Sequence, residues 1–185
     1  MIIILKINNN ILLLIISTLF YFFSSFYVNS NSNNLKIEEL LDKLQYAETN
    51  IEAEVIRKKI WKKWIEDVPK DLKKNLEYAL NEFYSGRLLS AEKAFTDLIN
   101  EEPDYTEGWN KRATIRFVLN DLEGSLEDIS KVLKLQPRHF GAISGLGLIY
   151  MKKKQYEKAL KFYKILNLMD PINADNKKNI KLLNK

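Results

Sequence analysis

The four prolines of this 185-residue chain constrain its fold more than any other feature, because they recur at one fixed interval. Pro69, Pro103, Pro137 and Pro171 are equally spaced along the chain. Proline ends a helix, and the residue before it is pushed away from helical geometry, so this spacing indicates a helical unit that ends in the same way each time. The interval, about 34 residues, lies within the range that is typical of stacked-repeat architectures. The sequence therefore predicts an all-α solenoid.

Small and large side chains recur in the same register. With repeats set at 72–105, 106–139 and 140–173, the eighth and twentieth positions are small throughout, which predicts close helix crossings there. These positions are Ala79, Ala113 and Gly147, then Ala91, Ser125 and Ala159. The twenty-fourth position is a large plug in each repeat, Phe95, Ile129 and Tyr163. Turns between paired helices are expected near Gly86, Asn120 and Lys154.

This pattern resembles the tetratricopeptide repeat family over residues 72–173. The resemblance implies an α-α superhelix of three repeats. Residues 35–71 keep the Pro69 register but little else, and we interpret them as a degenerate helical hairpin that caps the first repeat. Residues 174–185 are expected to form a polar solvating helix. The runs EGWNKRAT (107–114) and PRHFGAISGLGLI (137–149) further resemble small exported bacterial members of this family, which have no assigned activity.

Four side chains depart from the family pattern. Asn75 replaces a bulky residue, while Glu82, Arg112 and Arg116 stand where apolar residues are usual. The two readings are a paired charge cluster between the first two repeats and long side chains that extend into solvent, of which we favour the second.

Residues 1–34 have the order of an export segment. Lys6 precedes an apolar run from Ile11 to Val28, and no acidic residue occurs before Glu38. The segment is either a signal peptide cleaved after Ser30 or a retained membrane anchor, and both alternatives stand. Either one places the repeats outside the cytoplasm, in the periplasm or anchored at the inner membrane.

The composition excludes several kinds of active site. The chain has no cysteine and one histidine, His139, so thiol chemistry and multi-histidine metal sites are excluded. The formal charge of +5 is spread along the chain, which does not favour nucleic-acid binding. No catalytic motif is present, and we expect His139 to pack or hydrogen-bond locally. The sequence thus predicts a protein that is not an enzyme and carries no metal or cofactor.

The resemblance implies that the binding surface is a concave groove. In the family, positions 2, 5, 9, 12 and 13 of each repeat point into it. Some members have a two-carboxylate clamp of Lys and Asn at positions 5 and 9, and this clamp is absent here because Leu76 and Leu80 occupy those positions in the first repeat. The alternative is that the C-terminal helix fills part of the groove. The predicted partner-binding residues are Lys73, Leu76, Leu80, Phe83, Tyr84, Glu107, Asn110, Thr114, Phe117, Ser144, Leu148 and Met151, with Val118, Gly141 and Lys152 beside them.

Two functions follow as hypotheses. The first is a non-catalytic scaffold or adaptor of the cell envelope that binds an unknown protein partner through this groove. The second is a membrane-attached, self-associating assembly factor, in which the basic segment IRKKIWKKWI (56–65) lies on the lipid surface. Under the first hypothesis, Trp64 is expected to pack on helix 72–84 near Leu72 while Trp61 stays partly exposed.

Overall fold

The computed structural model describes residues 35–184. The chain divides into two compact units, Met1–Glu39 and Leu40–Lys185. Residues 35–39 are the described part of the first unit and are helical. The predicted export segment, 1–34, lies outside the described residues, and within 35–184 no helix is long and apolar enough to cross a membrane.

Helices and turns account for the whole described fold, and no strand occurs between residues 35 and 184. Helix α1 covers 35–45. The remaining elements are α2 (Asn50–Glu66), a single 3-10 turn (Lys70–Leu72), α3 (Lys73–Tyr84), α4 (Leu88–Glu101), α5 (Thr106–Val118), α6 (Leu122–Leu135), α7 (Phe140–Lys152), α8 (Tyr156–Met169) and α9 (Ala174–Leu183). Helices α3 to α8 form three antiparallel hairpins, in which equivalent helix ends recur at the proline interval. The predicted solenoid of three repeats is confirmed.

The turn inside each hairpin uses a left-handed residue. Gly86, Asn120 and Lys154 have φ angles of 74°, 70° and 57°, which confirms the predicted turn positions. Only glycine adopts this conformation without a steric cost, and Asn tolerates it better than most residues. Lys154 is therefore the strained member of the three.

Close helix crossings occur where small residues were predicted. Ala79, Ala91 and Ala159 are fully buried, and Ala113, Ser125 and Gly147 are nearly so. The plugs Phe95, Ile129 and Tyr163 are buried beside them. A methyl group added at Gly147 would lie 2.9 Å from the Tyr163 ring, which is why this crossing needs glycine.

The N-terminal hairpin does not continue the stack as a cap, contrary to the sequence-based expectation. Helix α2 packs mainly against α5, and near its end Ile65 packs against the core to which α3 contributes. The end of the stack that a cap would cover is instead open, with a surface depression of about 490 Å³ between α3 and α4. Asn75 and Tyr78 line this depression and are exposed, which explains why a polar residue replaces the usual bulky one at position 75.

Helix α9 ends the described fold. Asn173 caps it by accepting hydrogen bonds from the backbone N–H groups of Asp175 and Asn176, both at 3.1 Å. The helix contains no buried residue, so its side chains solvate the end of the stack.

Candidate interaction surface

Helix α2 lies along the rim of the concave face and meets each repeat at an equivalent place. The last residues of the three repeats are Tyr105, His139 and Asn173. The Tyr105 hydroxyl donates to the Ile65 carbonyl at 3.1 Å, which satisfies one of the unpaired carbonyls at the end of α2. His139 stacks on a tryptophan of α2, and Asn173 lines a cavity beside it. The helix therefore spans all three repeats.

The two tryptophans of α2 hold it against the start of α7. Trp64 is 1% exposed, and its ring stacks on His139 with 3.9 Å between ring centroids. Trp61 is half-buried and packs edge-to-face on Phe140 at 5.2 Å. The expectation that Trp64 packs on helix 72–84 is wrong in its partner, while its burial and the partial exposure of Trp61 are confirmed. A Cβ at Gly141 would lie 2.6 Å from the tip of Trp61, so glycine admits this ring.

A buried polar group lies next to these rings. His139 accepts a hydrogen bond on Nδ1 from the Ala142 backbone N–H at 3.1 Å, so its proton is on Nε2, which faces Glu107 Oε2 at 3.2 Å. Asn110 Nδ2 donates to both Glu107 oxygens at 3.1 Å, and Lys111 Nζ is 3.2 Å away. Sequence analysis expected local packing for His139 but did not see this acidic partner, which comes from the preceding repeat.

The pKa of Glu107 reflects two opposing effects. Burial by itself raises the pKa of this carboxyl, but the hydrogen bond from His139, the charge of Lys111 and the amide of Asn110 outweigh it and hold the pKa below its ordinary value. Glu107 is thus an ionised, fully paired group in the core. It is not an open groove residue, although its position in the repeat predicted one.

A cavity of about 370 Å³ remains between α2 and the concave face. At one end, Arg57 of α2 donates from Nη1 to Asp170 Oδ2 at 2.6 Å. Asp170 is 5% exposed, and its other oxygen, Oδ1, has no hydrogen-bond partner. Side chains from five helices and the loop before α9 line the cavity, namely Arg57, Trp61, Asn110, Lys111, Thr114, Phe140, Gly141, Ser144, Leu166, Asp170, Asn173 and Asn176.

Buried charges at the junction of the first two repeats are paired, so the favoured reading of solvent-extended side chains is wrong. Arg112 donates to both oxygens of Asp128, at 2.9 and 2.7 Å, and to the Thr96 hydroxyl of the first repeat. Arg116 donates to Asp128 at 3.1 Å and to Glu92, also of the first repeat, at 2.9 Å. This network ties α4 to α5 and α6.

Glu82 does not belong to this network. It is buried, and it accepts two hydrogen bonds from the more exposed Arg87, at 2.8 and 2.6 Å. The hydrogen bonds and charge of Arg87 hold the pKa of Glu82 below its ordinary value, although its burial opposes this. The polar residue at this position is therefore paired within its own repeat.

The part of the concave face that α2 leaves open contains one row of large side chains. Phe83, Phe117 and Met151 occupy the same position in successive repeats and are all half-buried. We call these three residues the open row. Lys152 Nζ lies 5.0 Å from the centre of the Phe117 ring, which links two repeats by a cation–π contact. The exposed residues Tyr84, Val118 and Leu148 flank the row.

The predicted groove residues therefore lie in different environments. Lys73 is exposed at the uncapped end, and Leu80 is half-buried against the first-repeat core. Leu76 is wrong as a groove residue, since it is 6% exposed within that core, and Glu107 and Asn110 are buried in the polar group described above. Thr114 and Ser144 face the cavity with Gly141, while Phe83, Tyr84, Phe117, Leu148 and Met151 lie on the open part with Val118 and Lys152.

Sequence reasoning missed the residues by which α2 docks. Arg57, Trp61, Phe140 and Asp170 lie outside the family's groove positions, so the repeat register alone does not point to them. The available signal was the apolar face of α2, on which Ile56, Ile60 and Trp64 recur at helical spacing beside Arg57. It was interpreted as a cap or a lipid-binding face instead.

Three stacked helical hairpins with a concave inner face define a helical repeat protein of the solenoid class. A TPR repeat-containing protein of Rhizobium etli is 31% identical over 120 residues, which cover 65% of this chain and 59% of that protein. Together with the proline register, this confirms the resemblance to the tetratricopeptide repeat family. The chain spans less than two thirds of the length of this curated relative. No family model matches it.

Solved structures share the fold at low identity. The first tetratricopeptide domain of Spaghetti (RPAP3), bound to the HSP90 peptide SRMEEVD, has a TM-score of 0.56 and 19% identity, and the match covers 58% of this chain and 86% of that one. A yeast Sti1 domain in complex with an Hsp70 peptide has a TM-score of 0.55 and 19% identity, covering 62% and 94%. A tetratricopeptide repeat protein of Parabacteroides merdae has a TM-score of 0.55 and 19% identity, and the match covers 83% of this chain and 59% of that one.

Proposed function

We propose that this protein is a non-catalytic adaptor that binds a segment of a partner protein on the open row of its concave face. The observation that carries the proposal is the alignment of Phe83, Phe117 and Met151 on three successive repeats, with exposed apolar side chains beside them. Solvent-exposed apolar surface arranged in a groove marks an interaction site. Fold-level support comes from the Spaghetti and Sti1 domains, which hold peptides.

The chemistry of the row favours an extended or helical segment with apolar anchors. One repeat separates each anchor position from the next, so a partner would contact the row at regular intervals along its length. Lys152 places a positive charge beside Phe117, the middle residue of the row. An apolar segment with an acidic residue near its middle anchor matches this surface, because opposite charges set the register of a bound segment.

Site-specific photocrosslinking tests the adaptor. A crosslinker at Val118, beside the open row, is expected to capture a partner in cells, and one at Leu89, which is 74% exposed on α4, is the matched control. The captured protein is then purified and its affinity measured. Replacing Phe83, Phe117 and Met151 together by alanine is expected to weaken its binding at least about 10-fold, as expected when central apolar anchors are removed, while Leu89→Ala leaves it unchanged. Equal affinity for all three proteins would overturn the proposal.

Location in the cell envelope is part of the same proposal and rests on residues 1–34. Their order, a cation, then an apolar run, then a polar stretch, is typical of export. The test is the N-terminus of the protein isolated from cells. A chain that starts at Asn31 supports cleavage, an intact one in the membrane fraction supports the anchor, and an intact one in the cytoplasm contradicts export.

The lipid-surface hypothesis requires that α2 expose its apolar face. A helix that lies on a membrane places its aromatic and aliphatic residues in the lipid. Here Ile56, Ile60 and Trp64 are buried in the protein. The exposed side chains of α2 are mostly charged, and Ile51 and Val55 are its exposed large apolar residues. We therefore pursue the adaptor alone.

A further inference from the structure

Helix α2 is held to the concave rim by side chains on one face. Arg57, Trp61 and Trp64 follow one another at spacings of four and three positions, so they lie along a single stripe of the helix. They contact, in order, Asp170 at the end of α8, Phe140 at the start of α7, and His139 just before it. The rim that receives them is a helix-binding surface, and the chain itself supplies the helix.

The match between α2 and this rim is incomplete. Among the described residues, five buried side-chain atoms lack a hydrogen-bond partner, and two of them belong to this contact, Trp64 Nε1 and Asp170 Oδ1. The cavity of about 370 Å³ also lies under α2. Buried polar atoms without partners and unfilled space both make a contact less stable than its area suggests. A helix that filled the cavity and donated a hydrogen bond to Asp170 would bind this surface better than α2 does.

Helix α2 contacts two buried clusters of the stack only near its C-terminal end. Only residues 67–69 separate the end of α2 from the 3-10 turn that begins the first repeat. The two clusters, one around Phe95 and another around Ile129, contain no residue of α2 among their buried members, and of α2 only Ile65 packs against the first of them. Release of α2 as far as Trp64 therefore leaves the buried members of these two clusters in place.

We propose that the rim from His139 to Asp170 is a second partner-binding surface, which α2 occupies in the free chain and which receives a partner's amphipathic helix when α2 is displaced. The structure shows what such a helix needs: an arginine, an aromatic residue four positions later and a second aromatic residue three after that. A further hydrogen-bond donor beside the arginine would reach Asp170 Oδ1. This inference rests on the proposed function, since it names a second partner chemistry for the same concave face.

The experiment supplies the helix in trans. A fluorescent synthetic peptide of residues 50–66 is titrated with the full chain and with a variant in which Trp61 and Trp64 are both alanine. The variant's own α2 lacks its ring contacts, so its rim is expected to be available. We expect the peptide to bind this variant at least about 10-fold more tightly than the wild-type chain, where α2 competes from the same molecule.

A second variant keeps the test decisive if loss of both tryptophans prevents folding. Arg57→Glu places a negative charge against Asp170 and is expected to release α2 while leaving both rings intact. Lys59→Glu is the matched control, because it makes the same change of charge on an exposed side chain of the same helix. The peptide should bind the Arg57→Glu chain more tightly than the wild type and the Lys59→Glu chain no more tightly.

The register of binding is checked by charge exchange. An Arg57→Glu peptide should bind weakly to the double-alanine variant and regain its affinity when that variant also carries Asp170→Arg. A folded variant that binds the peptide no better than the wild type would overturn the inference. Failure of crosslinking at the open row would overturn the proposed function instead, so the two outcomes are distinguishable.

Discussion

Two surfaces of α5 show how differently this chain builds its contacts. On the side that meets α4 and α6, Arg112 and Arg116 reach Asp128, and each charge has a partner at hydrogen-bond distance. On the side that faces α2, Lys111 lies 5.4 Å above the Trp61 ring, next to a cavity and to Asp170, one of whose oxygens is unpaired. The first contact lies between helices of the stack, whereas the second joins the stack to a helix outside it.

The difference teaches which contacts define the fold and which are adjustable. A buried charge network is strongly destabilised when one member is removed, because the others stay buried without partners. A contact that already contains unpaired atoms and empty space contributes less stability, so the loss of one of its side chains is expected to destabilise the protein less. We therefore expect the repeat junction to control global unfolding and the α2 contact to control a local equilibrium, and four measurements test this contrast.

The largest effect is expected from Asp128→Ala. Asp128 is 1% exposed and accepts hydrogen bonds from both arginines, so its loss leaves two buried guanidinium groups without their acceptor. We predict a loss of about 3–5 kcal/mol in the free energy of unfolding, measured by denaturant titration. Asp97→Ala, which removes the partner of the exposed Lys93, is the control and should leave the midpoint unchanged. Equal midpoints for the two variants would contradict the role of the network.

Adding one methyl group at each of two glycines tests the stack and the docked helix separately. Gly147→Ala places a Cβ 2.9 Å from the buried Tyr163 ring, and we predict a loss of about 1–3 kcal/mol in global stability from overpacking. Gly141→Ala places one 2.6 Å from the tip of Trp61, which is half-buried and belongs to α2. Here we predict little change in global unfolding but a red shift of tryptophan emission, because α2 is displaced.

Trp109→Phe is the background for both variants, so that the emission reports α2 alone. A red shift for Gly147→Ala with none for Gly141→Ala would reverse the contrast. It would show that the position of α2 depends on the third repeat's core rather than on the rim.

The stack could be predicted from sequence because its contacts repeat. Four prolines, the small residues at two positions and the left-handed turns each give the same register, so an error in one is corrected by the others. Gly147 and Lys154 were placed correctly for this reason. The open row follows from the same register, since Phe83, Phe117 and Met151 share a position.

The docking of α2 could not be predicted in the same way. It depends on single contacts, such as Arg57 with Asp170 and Trp64 with His139, whose partners lie far apart in the sequence and follow no period. The charge network at the junction was misjudged for a related reason. Arg112 and Arg116 look solvent-extended until Asp128 of the next helix is placed beside them.

The dependence of stability on pH tests the side of α5 that faces α2, through the buried carboxyl of Glu107. The pKa of Glu107 is lowered from its ordinary value of 4.5, because the contacts with His139, Lys111 and Asn110 outweigh burial. A carboxyl that titrates lower in the folded state contributes stability above its ordinary pKa and loses it as the pH falls through the lower folded value. We predict that wild type exceeds Glu107→Gln in stability at neutral pH and that the difference shrinks below about pH 4.5. Glu127→Gln, on the exposed face of α6, is the control.

The smallest effect is expected at the ion pair that joins α1 to the loop before α7. Arg138 Nη1 lies 2.7 Å from Asp42 Oδ1, but the side chains are 31% and 64% exposed, so water screens the attraction. We predict that Asp42→Ala costs about 0–1 kcal/mol and that this difference disappears at high salt. Denaturant titrations at two salt concentrations measure it. A salt-independent loss of several kcal/mol would mean that α1 is fixed as firmly as the repeats are, and the contrast between stack and docked hairpin would fail there.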